Sequence, residues 1–171
     1  YKRQGLETLE ISVDLKSVDS AGDMFTFSLS DLGNTTAKRY TILERKDYNA
    51  SGKGDYQFGF IGMTPTTLLG SSTYETLKKD TWYTYKFVFE PGSGGYDITM
   101  TATEQGTENT VTLLDRKPSG LTVDKMKEQR CIRLQVNQGT VAPYELLDNL
   151  KVVIKTPADQ LEPPMFTPDE G

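Results

Sequence analysis

Three side chains with planar, hydrogen-bonding ends recur at every second position of RCIRLQVN: Arg133, Gln135 and Asn137. On an extended strand that spacing sets them on one face, about 7 Å apart. Guanidinium and amide groups donate and accept in fixed planes, a geometry suited to sugar hydroxyls. Such a row is what a groove for an extended glycan needs; its alternative is an ordinary solvated strand face. Gln57 extends the row on a neighbouring strand, beside Gly59, where a missing side chain lets a ligand approach the backbone. Trp82, the single tryptophan, has the opposite parity from Tyr83, Tyr85, Phe87 and Phe89 in WYTYKFVF. An exposed indole stacks on the apolar face of a sugar ring. The alternative is that it packs under a loop or at a sheet edge and anchors its strand.

Other groupings carry less specific chemistry. Tyr48 and Tyr56 flank a glycine-rich loop with Asp47 and Asn49, and such loops often carry binding on β scaffolds. Glu10 and Asp14 share one strand face in EISVD, and paired carboxylates are the requirement for glycoside hydrolysis. Arg39 and Tyr40, with Arg133 and Gln135, supply lyase chemistry only if they converge. Histidine is absent. That removes the usual general base, the Ser/His and Cys/His nucleophile arrangements and the commonest zinc ligand. Cys131 is the lone cysteine, so no internal disulfide forms; it reads as a small apolar core group, with a reactive thiol as the alternative.

Charge and composition narrow the partners. The formal net charge is −5, with no cluster of lysine and arginine in the sequence. A nucleic-acid partner and an anionic membrane surface are both disfavoured. No apolar run reaches the ~20 residues of a membrane span. A chain of 171 residues is most simply one domain, able to bury about 70% of its unfolded surface.

The elements that must position these groups follow from strict alternation. In LEISVDLK, Leu9, Ile11, Val13 and Leu15 fall on one face, against Glu10, Ser12, Asp14 and Lys16. MFTFSLS, RYTILER, YQFGFIGM, WYTYKFVF, YDITMTA, TVTLL, CIRLQVN and ELLDNLKVVIK continue the rhythm, with glycine-rich turns between them. GLTVDKMKEQR is the one plausible helix or long loop of moderate length. About nine or ten short strands with almost no helix predict an all-β, two-sheet antiparallel sandwich or barrel over residues 1–155. Residues 156–171 hold four prolines and four acids without periodicity, and read as an acidic, proline-rich linker or tail.

DTWYTYKFVFEPGSGGYDITM resembles the strand–loop–strand of laminin-G-like and concanavalin A-like jelly rolls, and YELLDNLKVV resembles the closing strand common in jelly-roll domains of secreted bacterial carbohydrate-active proteins. Together they cover about a fifth of the chain. The resemblance implies two antiparallel sheets, one convex and one concave, with ligand on the concave face or at loop tips. It also implies a structural calcium at Asp148; the alternative is that Asp148 accepts turn amides. No other cofactor is expected. EISVD resembles the Glu-x-Asp-x-Glu strand of the family's glucanases, but departs from it at Ser12 and Asp14.

The expectation is therefore a non-catalytic, lectin-like module of a larger secreted, periplasmic or cell-surface bacterial protein. Its partner would be a polysaccharide or glycan, beside other domains of the parent chain. The alternatives are a jelly-roll glycoside hydrolase or polysaccharide lyase, and a structural or adhesion domain.

Overall fold

The computed structural model describes residues 7–17, 24–30, 39–46, 57–61, 68–72, 77, 80–137 and 145–156. The fold is mostly β. The strands are β1 (Thr8–Ser17), β2 (Met24–Ser30), β3 (Arg39–Lys46), β4 (Gln57–Ile61), β5 (Leu68–Ser72), β6 (Trp82–Gly92), β7 (Gly95–Glu104), β8 (Thr110–Pro118), β9 (Cys131–Asn137) and β10 (Glu145–Lys155). One short helix, α1 (Val123–Glu128), precedes β9, and the Thr122 hydroxyl caps it by accepting from the Lys125 amide at 3.2 Å. The segment read as helix or long loop is thus a six-residue helix of under two turns with extended caps on either side. No helix of the described residues is long and apolar enough to cross a membrane.

Two five-stranded antiparallel sheets form. Sheet A has the order β10-β1-β6-β7-β8 and sheet B the order β5-β4-β3-β2-β9. The alternation read from sequence decides which faces meet. In sheet A, Leu9, Ile11, Val13 and Leu15 of β1 are buried beside Tyr83, Tyr85, Phe87 and Phe89 of β6 and Tyr96, Ile98, Met100 and Ala102 of β7. From sheet B, Phe27 and Leu29 enter the same core. The rings of Phe27 and Phe87 stack with centroids 4.5 Å apart and planes within 5°, so β2 lies over β6. Ile132 and Leu134 of β9 pack against this core as expected. Val136 has its backbone described but not its side chain.

The first and last strands of the described chain are neighbours. β10 pairs antiparallel with β1, interrupted where Asn149 and Leu150 together oppose Val13. Asn149 takes a φ of +51° there, and the extra residue is a β-bulge. Leu147, Val152 and Ile154 are in register with Leu15, Ile11 and Leu9, so they face the core side. Leu147, Leu150, Val152 and Ile154 nevertheless stay 43–45% exposed. The reason lies in the layering: Leu9 and Ile11 of β1, Leu29 of β2, Ile132 of β9 and Val152 of β10 line one groove of about 220 Å³. β9, the end strand of sheet B, therefore sits above β1, and β10 lies beyond its cover.

The glycine knot between β6 and β7 has a specific use. Gly95 has a φ of +135°, and a Cβ on it would stand 2.1 Å from the Leu121 carbonyl oxygen. The strand start is pinned there, because the Tyr96 amide donates to Leu121 O at 2.9 Å. Gly95→Ala is expected to cost about 2–3 kcal/mol through backbone strain, read as a lower urea midpoint. Gly94→Ala, where nothing stands within 4 Å of a new Cβ, should cost under about 1 kcal/mol.

Candidate functional site

The outer face of sheet A is mostly polar across four strands, with Val88, Val153 and the exposed Leu146 among its side chains, and cross-strand register sets them in rows. Ser12 is paired with Lys151 of β10 on one side and Lys86 of β6 on the other; Lys86 is paired with Thr101 of β7. One row over, Asp14 is paired with Asp148 and Thr84, and Thr84 with Thr103. Paired residues in antiparallel strands project to the same side. Ser12, Thr84, Lys86, Thr101, Thr103 and Lys151 line a depression of about 390 Å³ with Glu10 and Val153. Short side chains, Ser12 on β1, Thr84 on β6 and Thr101 and Thr103 on β7, alternate there with the long Lys151 and Lys86, so the flat strand face dips between the lysines and beside Lys86.

Hydrogen bonds fix part of this surface. Thr84 Oγ1 donates to Asp14 Oδ1 at 2.6 Å, and Asn149 Nδ2 donates to Asp14 Oδ2 at 2.7 Å. The left-handed turn at Asn149 brings that amide round to the outer face, so the bulge positions a donor while burying Asp14 to 6% exposure. Thr103 and Thr110 share a hydroxyl–hydroxyl bond of 2.9 Å. Glu10 is held by two cations, Lys155 Nζ at 2.7 Å and Lys86 Nζ at 2.9 Å.

Those contacts hold the Glu10 carboxyl below its ordinary pKa of 4.5, the Lys155 hydrogen bond most strongly and the Lys86 bond next. A depressed folded-state pKa stabilises the fold fully above the unfolded value and loses that contribution as pH falls through the folded value. Glu10→Gln is therefore expected to flatten the acid limb of the stability curve below about pH 4.5, checked by urea midpoints across that range. The lysines are solvated, so the effect at neutral pH is small.

The residues singled out in sequence do not gather on one surface. Trp82 takes the outward parity of β6, next to buried Tyr83, and is paired with Lys16 on the outer face of sheet A. Arg133 alternates with the core-facing Ile132 and Leu134, which sets it on the outer face of sheet B. The two faces point away from each other, with the core between them. Ser28, the cross-strand neighbour of Arg133, is only 1% exposed, so the Arg133 face is closed to solvent at that point. Gln135 and Asn137 follow on β9 and Gln57 lies on β4; the backbones of these three are described, their side chains are not. Asp148 is exposed on β10, and its Oδ1 accepts from the Asn149 amide at 2.8 Å. Among the described residues no group of three or more Cys, Asp or Glu could hold a metal ion. Cys131 is half-buried, with its thiol 3.4 Å from Ser30 O. Tyr48, Tyr56, Asp47 and Asn49 lie outside the described residues, as does 157–171.

Sequence reasoning missed the pairing of Ser12 with Lys86 and Lys151. The outward parity of Ser12 and Lys86 was legible. Their alignment with Lys151 depends on β1 meeting β10, and no local signal encodes that register.

Fold and site together define a class: a layered antiparallel β protein with a polar, lysine-flanked recess on one outer sheet face and a tryptophan at its end. No protein-family profile matches the chain, and no curated protein sequence matches it significantly.

Proposed function

We propose that this chain is a non-catalytic, lectin-like carbohydrate-binding module of jelly-roll type that takes glycan on the outer face of sheet A. The observation that carries the reading is the recess itself, where Ser12, Thr84, Thr101 and Thr103 hydroxyls and the Lys86 and Lys151 ammonium groups converge over four strands. Trp82 stands on the same face one outward position beyond Thr84. A saccharide is recognised by that combination, polar groups for its hydroxyls and an aromatic plane for its ring. The parent protein would be secreted, periplasmic or at a bacterial cell surface, where polysaccharide is met.

The hydrolase alternative rests on Glu10 and Asp14 sharing this face. A general acid needs a raised pKa, whereas Glu10 is shifted downward and both Asp14 oxygens accept side-chain hydrogen bonds. The adhesion alternative has one observation in its favour, the exposed core-side residues of β10. Affinity gels of the full chain against neutral and acidic polysaccharides test the proposal. Retardation by at least one supports it; no retardation by any would overturn it and favour adhesion. Release of reducing ends or of unsaturated uronates would replace it with the enzyme reading.

A further inference from the structure

We infer that the glycan bound on this face is anionic, carrying carboxylate or sulfate groups; the inference rests on the binding reading above. Lys151 and Lys86 are both in register with Ser12, one from each neighbouring strand. Their Cα atoms therefore stand two strand spacings apart, about 10 Å. Both side chains are long enough to reach over the short one between them, Lys86 on leaving its ion pair with Glu10. An anion seated over Ser12 accepts from its hydroxyl and lies within reach of both ammonium groups.

The donor inventory favours a charged acceptor. Thr84 is committed to Asp14, and Thr103 to Thr110. The acids nearest the row lie on either side of it, Asp14 with Asp148 on one side and Glu10 on the other, and each already accepts a hydrogen bond. Lys151 has no ion-pair partner among the described residues. The row Lys151–Ser12–Lys86–Thr101 is thus positive and donor-rich in a chain whose net charge is −5. The Lys151 ammonium, left over on a hydroxylated surface beside the Glu10-bound Lys86, selects carboxylate or sulfate, and such pairs weaken with salt.

The test is binding of the full chain to polygalacturonate, dextran sulfate and neutral galactan, at low and physiological salt, for the natural sequence and for Lys151→Gln. Lys151 is exposed and its replacement leaves both partners of Glu10 in place. The expected result is at least about tenfold tighter binding of one or both anionic polymers than of galactan, weakening as salt rises. Lys151→Gln should lose about five- to tenfold on the anionic polymers and a clearly smaller factor on galactan, which gives up a hydrogen-bond donor but no ion pair. Preference for polygalacturonate assigns the row to carboxylates, and preference for dextran sulfate assigns it to sulfates. Galactan bound as tightly as either anionic polymer overturns the inference and leaves the binding reading standing. Anionic binding untouched by Lys151→Gln also overturns it, by placing the charge elsewhere. No binding to any of the three removes the inference together with the reading beneath it.

Discussion

Phe87→Ala is expected to lower the stability of the fold by about 3–5 kcal/mol, a large share of what a domain of this size has to lose. Phe87 is fully buried at the middle of β6. Its cross-strand neighbours are Ile11 and Met100, and its ring is stacked on Phe27 of the opposite sheet. Truncation removes apolar burial and a ring stack that joins β6 to β2, and leaves a cavity that rigid strands collapse around only in part. Urea denaturation reads the effect as a fall in midpoint at unchanged slope. Val88→Ala, on the outer side of the same strand, should cost under about 1 kcal/mol. A cost for Phe87→Ala no larger than that of Val88→Ala would mean that the sheets do not close over this ring.

The second large effect concerns binding. Ser12→Tyr is expected to reduce glycan affinity at least about thirtyfold, close to 2 kcal/mol, with stability changed by under about 1 kcal/mol. Ser12 is the short side chain between Lys86 and Lys151, so a phenol ring there fills the space the ligand would occupy. The backbone of β1 tolerates the change, because an aromatic residue suits an extended strand. Trp82→Ala should act on the same binding more weakly, by about five- to tenfold, since it removes stacking at one end of the recess. Isothermal titration beside urea denaturation separates the two effects. Loss of fold in Trp82→Ala would assign the indole to packing, and full binding by Ser12→Tyr would move the ligand off this face.

Much of the fold was legible in the sequence because period-two alternation reports burial directly. The runs containing Leu9 to Leu15, Tyr83 to Phe89 and Tyr96 to Ala102 bury the parities that alternation assigns. The site was less legible, for a reason of range. Trp82 and Arg133 were both readable as outward-facing, but parity cannot say which sheet a strand joins. β6 enters sheet A and β9 enters sheet B, so two correct parities produce opposite surfaces. Ser28 shows the same limit: alternation marks it as an outer residue of β2, yet tertiary structure buries it. The β10 bulge is a third case. DNL in ELLDNLKVVIK carries the turn-prone pair Asp148 and Asn149, but only the pairing with β1 shows that Asn149 turns to hold Asp14.

The proposed binding requires that sugar meet the outer face of sheet A. Backbone amide chemical shifts recorded while an acidic oligosaccharide is titrated into the full chain report that surface residue by residue. The predicted result is a contiguous set of shifts at Ser12, Thr84, Lys86, Thr101 and Lys151, fading toward the buried parity of the same strands. Shifts centred on Arg133 and its β2 neighbours, with the Ser12 row unmoved, would contradict it.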